Sequence, residues 1–176
     1  MKIKKIIIVL LLCFLPIASF AQKVGETLPA WEEGYMDIHH INTGCGECAY
    51  IILPDGTTML IDAGENKAGN PRHVSPKPNA SRTPGEWIVD YIKTMAPVQK
   101  QKLDYALITH FHSDHMGGVL KMKNESGRYY NTGIITVAEN LQIGMLVDRG
   151  FPDYNFLVNT EDKMIKNYFN FLHFTI

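Results

Sequence analysis

Three imidazoles and one carboxylate fall within six residues in the stretch Thr109-His110-Phe111-His112-Ser113-Asp114-His115. Imidazole and carboxylate are ligands for zinc and related borderline metals. His110 and His112 are two apart, so in extended backbone they point the same way. Asp114 and His115 come after the turn and approach from a second direction. The spacing suits two metal ions side by side, His110 and His112 on one, Asp114 and His115 on the other. A lone histidine is more often a surface or core residue than a ligand. Four ligand-type residues in HxHxDH order, directly after an apolar strand, are hard to obtain by chance.

Several elements must position these groups. Residues 103–108 (Leu-Asp-Tyr-Ala-Leu-Ile) form an apolar run of strand length, and Gly117-Gly118 follows the motif. That order reads as a buried strand ending in a ligand-rich turn. Upstream, residues 35–42 alternate loosely and read as a strand, and residues 49–53 as the next. Pro54-Asp55-Gly56 is a hairpin turn and residues 57–62 are the return strand. Thr83 can cap a helix, Pro84 fits its first position, and Glu86 can close a capping box. Trp87, Ile88, Tyr91, Ile92 and Met95 then fall at helical spacing, a core stripe that ends before Pro97. Residues 116–123 are expected to start a helix, residues 134–138 a strand, and residues 164–174 a helix. Residues 141–147 suit either state.

The motif resembles the metal-binding signature of the metallo-β-lactamase-fold hydrolases. A second stretch agrees: residues 37–64 look like the opening hairpin of that fold, with its Leu-Ile-Asp-Ala-Gly ending at Leu60 to Gly64. The Gly44-Cys45-Gly46-Glu47 turn and the Leu103-Asp104 lead-in are most like the hydrolase domain of bacterial DNA-uptake (competence) channel proteins. The resemblance covers roughly residues 35–120. It implies an α/β fold, the N-terminal half of an αββα sandwich with a mixed, mainly antiparallel sheet. It also implies that His110, His112, Asp114 and His115 are metal ligands, with Asp114 carrying the catalytic role. Asp62 would support the metal loop without binding metal, as a buried carboxylate orienting ligand histidines. Zinc, as one or two ions, is the expected metal, with manganese or iron as alternatives. The expected activity is hydrolysis of an ester, amide or phosphoester by a metal-bound hydroxide. A metal-dependent nuclease or phosphodiesterase is a second reading, and a non-catalytic secreted binding protein with an incomplete site a third.

The chain opens with Lys2, Lys4 and Lys5, then an apolar run at residues 6–17 and the small-residue site Ser19-Phe20-Ala21. The run is too short to span a bilayer. Residues 1–21 read as a secretory signal peptide cut before Gln22, which implies a secreted or periplasmic protein. Residues 22–34 are a polar lead-in and residues 35–176 a single domain. Cleavage leaves fourteen basic against eighteen acidic residues, a formal charge of −4. Such a balance argues against general attraction to nucleic acid or to a membrane after signal removal. Cys45 and Cys48 suit either a local, strained disulfide or two packed thiols. His39 and His40 read as structural or surface residues. Residues 65–82, long and proline-rich, suit a substrate loop as well as a disordered insert.

Catalytic zinc typically takes three protein ligands plus water, so two ions need more than the motif supplies. Downstream of His115 the sequence has one histidine, His173; Asp148 and Asp153 have ligand chemistry but stand in no matching motif. The mature chain of about 155 residues is short for a complete sandwich. The expectation is therefore an incomplete copy of the domain, either cut short or completing its sheets as a homodimer, with weak metal binding and little turnover alone.

Overall fold

The computed structural model describes residues 24–65, 70–71, 73–75, 77–98, 100, 102–155 and 159–175; the expected signal peptide, residues 1–21, and its expected cleavage site lie outside them. The first three strands form a meander. β1 (Asp37–His40) pairs antiparallel with β2 (Ala49–Ile52), and β2 with β3 (Thr58–Ile61). The β2–β3 reversal is set locally. Gly56, at φ 78, donates its amide to Leu53 O at 2.8 Å, and Asp55 Oδ1 accepts from Thr57 N at 2.9 Å.

Helix α1 (Pro84–Met95) then crosses over to β4 (Lys102–Leu107), which lies parallel to β3. The expected capping box is formed: Thr83 Oγ1 accepts from Glu86 N, and Glu86 Oε2 accepts from Thr83 N at 2.7 Å. Its buried face is Gly85, Ile88, Val89 and Ile92, so Trp87 and Tyr91 flank the core rather than form its centre.

The one-turn helix α2 (Ser113–Met116) carries the second half of the motif. The small antiparallel hairpin of β5 (Met122–Lys123) and β6 (Tyr130–Asn131) follows. Helix α3 (Gly133–Asn140) leads to β7 (Gln142–Val147), parallel to β4, and α4 (Lys163–Thr175) closes the described chain. The five-stranded sheet has the order β1-β2-β3-β4-β7, with two antiparallel and two parallel pairings; the hairpin adds a third antiparallel one. The chain is thus α/β with a mixed sheet. Helices α1 and α3 pack on each other, and Leu60, Ala106, Ile88, Ile92, Ile134 and Val137 belong to one buried core. The opposite sheet face carries Ile38, Tyr105, Met145 and Val147, each 40 to 55% exposed.

Two local expectations fail for physical reasons. Residues 116–123 do not start a helix. Gly117 leaves helical geometry at φ 89, and the next two amides, Gly118 and Val119, are taken by the Glu65 carboxylate at 2.9 Å each. Residues 134–138 are helical rather than extended. Gly133 to Val137 are buried without a break, and over so short an apolar run a buried helix and a buried strand look alike in sequence.

Candidate metal centre

The parallel strands β3, β4 and β7 end on the same side of the sheet, the side where open α/β sheets form their clefts. Asp62 directly follows β3, at φ 59, and is 1% exposed. Its Oδ1 accepts from Thr109 N at 2.8 Å; its Oδ2 accepts from Thr109 Oγ1 at 2.7 Å and from His115 Nδ1 at 2.8 Å. A carboxylate only accepts here, so His115 carries its proton on Nδ1 and leaves Nε2 free. Because the Thr109 hydroxyl donates to Asp62, it can accept from His110 Nδ1 at 3.1 Å. The His110 Nε2 is thereby freed as well.

The motif residues converge. The His110 ring lies 3.8 Å from that of His115 and 4.6 Å from that of His112, centroid to centroid. His115 Nε2 stands 3.9 Å from Asp114 Oδ2. Burial, then the neighbouring His115 and His112, hold the His110 imidazole below the usual histidine range, in the neutral form that ligates.

Backbone contacts fix the loop. Asp114 O accepts from Glu47 N at 2.9 Å, His115 O from Ala63 N at 2.6 Å, and Ser113 O from Glu65 N at 3.1 Å. These approaches require the absence of side chains. A Cβ on Gly46 would stand 1.6 Å from Asp114 O, and one on Gly64 2.2 Å from it. Glu65 is 3% exposed. Burial pushes its carboxyl up, opposed by the amides of Gly133, Val119 and Gly118. Residues 62–65 and 109–119 therefore interlock as one unit.

This donor set fits a zinc-type ion in chemistry: three imidazoles, two with Nε2 freed by partners on Nδ1, and one carboxylate. Two donors on a tetrahedral zinc stand about 3.3 Å apart, given bonds of about 2.0–2.1 Å. The Asp114–His115 separation of 3.9 Å is close to that value. Among the described residues, however, no three His, Cys, Asp or Glu side chains are already arranged around one point. The His110 and His115 rings stack, tilted 46°, instead of directing their nitrogens together.

His110 and His112 open into a cleft of about 330 Å³ lined also by Phe111, Arg149, Asp162 and Met164. Asp162 caps α4 through Met164 N at 2.7 Å. Arg149 is exposed and makes no ion pair among the described residues.

The other sequence candidates lie apart from the cluster or are already engaged. The His39 side chain, 8% exposed, hydrogen-bonds Tyr91 Oη at 3.1 Å, and burial holds it below the usual range against Asp37. His40 is exposed and faces Glu47. Asp148 accepts from Tyr154 Oη, Tyr168 Oη, Gly150 N and Phe151 N. Burial pushes its carboxyl up, but these donors outweigh it and hold it low. Asp153 accepts from Asn155 N. His173 is exposed on the last turn of α4 beside Phe174. Cys45 and Cys48 are free thiols; burial pushes the Cys48 thiol far up, against a thiolate ligand.

Thr109, Glu65 and Arg149 carry no assigned role in the sequence. Thr109 was visible as a hydroxyl at the end of the strand beside the first ligand. Nothing local marked Glu65 or Arg149, which stand near other functional groups only through the fold.

The family model described as metallo-beta-lactamase superfamily matches residues 42–127, slightly under half of the chain. That span includes the HxHxDH loop, Asp62 and Glu65, and the match supports the fold. No curated protein and no solved structure matches the chain. Among the described residues, no helix is long and apolar enough to cross a membrane.

Proposed function

We propose that this chain is a secreted or periplasmic metal-dependent hydrolase of the metallo-beta-lactamase superfamily, akin to the hydrolase domain of DNA-uptake channel proteins. The reading rests on one observation above all: His110, His112, Asp114 and His115 are gathered on one loop, with His115 oriented from behind by Asp62 and His110 by Thr109. These four residues would hold one or two zinc ions. A bound zinc supplies Lewis acidity, polarising the scissile group and acidifying a water. Three of these side chains and a water suffice for one catalytic ion; a second ion calls for further donors from water or from a second copy of the chain.

The chain's own groups do the rest. Asp62 holds the His115 proton on Nδ1, and Thr109 does the same for His110. The Asp114 side chain, 43% exposed, stands with Oδ2 3.9 Å from His115 Nε2 and would accept a proton from the attacking water. Arg149, in the same cleft as His110 and His112, meets negative charge on the substrate. The substrate class is a small ester, amide or phosphoester.

Elemental analysis of the purified chain and of His110→Ala and Asp114→Ala tests the metal assignment. Wild-type protein should carry zinc and both variants less; equal stoichiometry in all three refutes it. A panel of β-lactam, lactone, thioester and bis(p-nitrophenyl) phosphate on zinc-loaded protein tests the reaction. Turnover of the phosphodiester alone would move the reading to a phosphodiesterase, and no turnover of any member would refute hydrolysis. Mass spectrometry of protein recovered from a secreting cell should find Gln22 at the amino terminus; an intact Met1 would refute the signal.

A further inference from the structure

Successive side chains of a strand point to opposite faces of the sheet. Tyr50, Ile52, Leu60 and Ala106 are fully buried and belong to the core. The residues that alternate with them face the other way. The strand registers carry these across the sheet in two rows. One row is Ile38, Ile51, Met59, Tyr105 and Met145, one residue from each strand. The row beside it is His40, Ala49, Ile61, Leu107 and Val147. No position in either row holds Asp, Glu, Lys or Arg.

This face is open. Ile38 is 51% exposed, Met145 55%, and Met36, two residues ahead of Ile38, 54%. Tyr105 and Val147 are exposed too, and Ile51, Met59, Ile61 and Leu107 partly so. With on the order of 150–200 Å² on each large side chain, these exposures leave roughly 500–600 Å² of apolar face. That is the upper end of what a monomer leaves in water, about 300–600 Å². Two such faces together would bury about 1,000–1,200 Å², enough for a specific interface.

We propose that this face is the docking surface for a second copy of the chain, packed sheet on sheet about a two-fold axis parallel to β3. Because neither row is charged, like faces meet without bringing like charges together. β3 is the middle strand of the five, so the axis sets Met59 and Ile61 on their own counterparts. Ile51 then meets Tyr105 of the other copy, the small Ala49 meets Leu107, and Ile38 meets Met145. A twist of about 30° between packed sheets displaces the outermost pairs by only about 5 Å. The same axis sets both histidine loops at one end of the sandwich. The proposal does not depend on whether those loops are catalytic.

The test is sedimentation velocity of the purified chain in EDTA, so that no bridging metal contributes. A monomer–dimer transition is expected within about 1–100 µM, the weak end for an interface of this size. Ile38→Glu and Met145→Lys place a charge in an apolar interface, and each should weaken the dimer at least about 10-fold. The double variant Ile38→Glu/Met145→Lys should restore it, because each glutamate then meets a lysine of the other copy. Within one copy the two positions lie on opposite edge strands, about 19 Å apart, and cannot pair. Val98→Lys, at an exposed position outside the sheet, should change nothing. Circular dichroism checks that each variant is folded. If a variant does not fold, peroxide oxidation of the wild type decides. Met145 should oxidise more slowly above the transition than below it, while Met122, exposed on the β5–β6 hairpin, keeps one rate. A monomer at every concentration, single variants that dimerise like the wild type, a double variant without rescue, or Met145 oxidation independent of concentration would each overturn the proposal.

Discussion

Changing Asp62 to asparagine keeps the shape of the side chain but replaces one acceptor oxygen with a donor. Alanine would be a poorer probe. Asp62 sits at φ 59, a region that Asp and Asn tolerate and that costs most other residues about 1–2 kcal/mol. In the native loop, one oxygen accepts from Thr109 N and the other from Thr109 Oγ1 and His115 Nδ1, all at 2.7–2.8 Å. An amide oxygen can keep the Thr109 N bond, which turns the amide NH2 toward two groups that were donating. His115 must then move its proton to Nε2, the atom that would ligate. Two lost bonds at about 0.5–1.5 kcal/mol each predict a loss of about 1–3 kcal/mol. For a domain of this size, about 2 kcal/mol corresponds to a fall in Tm of roughly 4–8 °C. Zinc affinity should fall about 10- to 100-fold, as for other partners that orient a ligand histidine. Thermal melting of the metal-free variant and zinc competition against a chelating dye measure the two effects separately. An unchanged Tm with an unchanged zinc constant would refute the role given to Asp62.

Four further outcomes follow from the geometry. Gly64→Ala would place a Cβ 2.2 Å from Asp114 O, so it should destabilise by about 1–3 kcal/mol in urea unfolding and weaken zinc binding. Gly127→Ala has nothing within 4 Å, so it should cost only about the 1–2 kcal/mol of its positive φ and leave zinc binding unchanged. Burial pushes the Asp104 carboxyl up, but Lys100 and the Thr58 amide and hydroxyl outweigh it and hold it at about 2. Its side chain is 19% exposed, so the stabilisation is on the order of 1–2 kcal/mol. A depressed carboxyl stabilises above its ordinary range and loses that contribution as the pH falls through the folded value. Wild type should therefore lose more stability than Asp104→Asn between about pH 4 and pH 2, and parallel pH curves would argue against the network. Thr83→Ala removes the α1 cap and should cost about 1 kcal/mol in denaturant unfolding, with no effect on metal content.

The elements legible in the sequence are those whose cause is local. The capping box of α1 needs only Thr83, Pro84 and Glu86, three or fewer residues apart, and it forms as read. The Pro54-Asp55-Gly56 turn carries its own positive φ and its own side-chain acceptor, and it joins β2 to β3 as expected. The gathering of His110, His112, Asp114 and His115 follows from their spacing in one loop, so their proximity was also legible. Segment 133–140 was not legible, because the unbroken burial of Gly133 to Val137 hides the period that separates helix from strand. Residues 116–123 read as helix because their own propensities allow it. A carboxylate more than fifty residues earlier, Glu65, takes the amides that a helix would have used. The same kind of cause hid the pairing of Thr109 with Asp62 and the place of Arg149 in the cleft. Spacing along the chain determined which donors share a loop. The orientation of their imidazoles was decided only when the sheet brought the end of β3 against the end of β4, because hydrogen bonds between distant segments leave no periodic trace in either one.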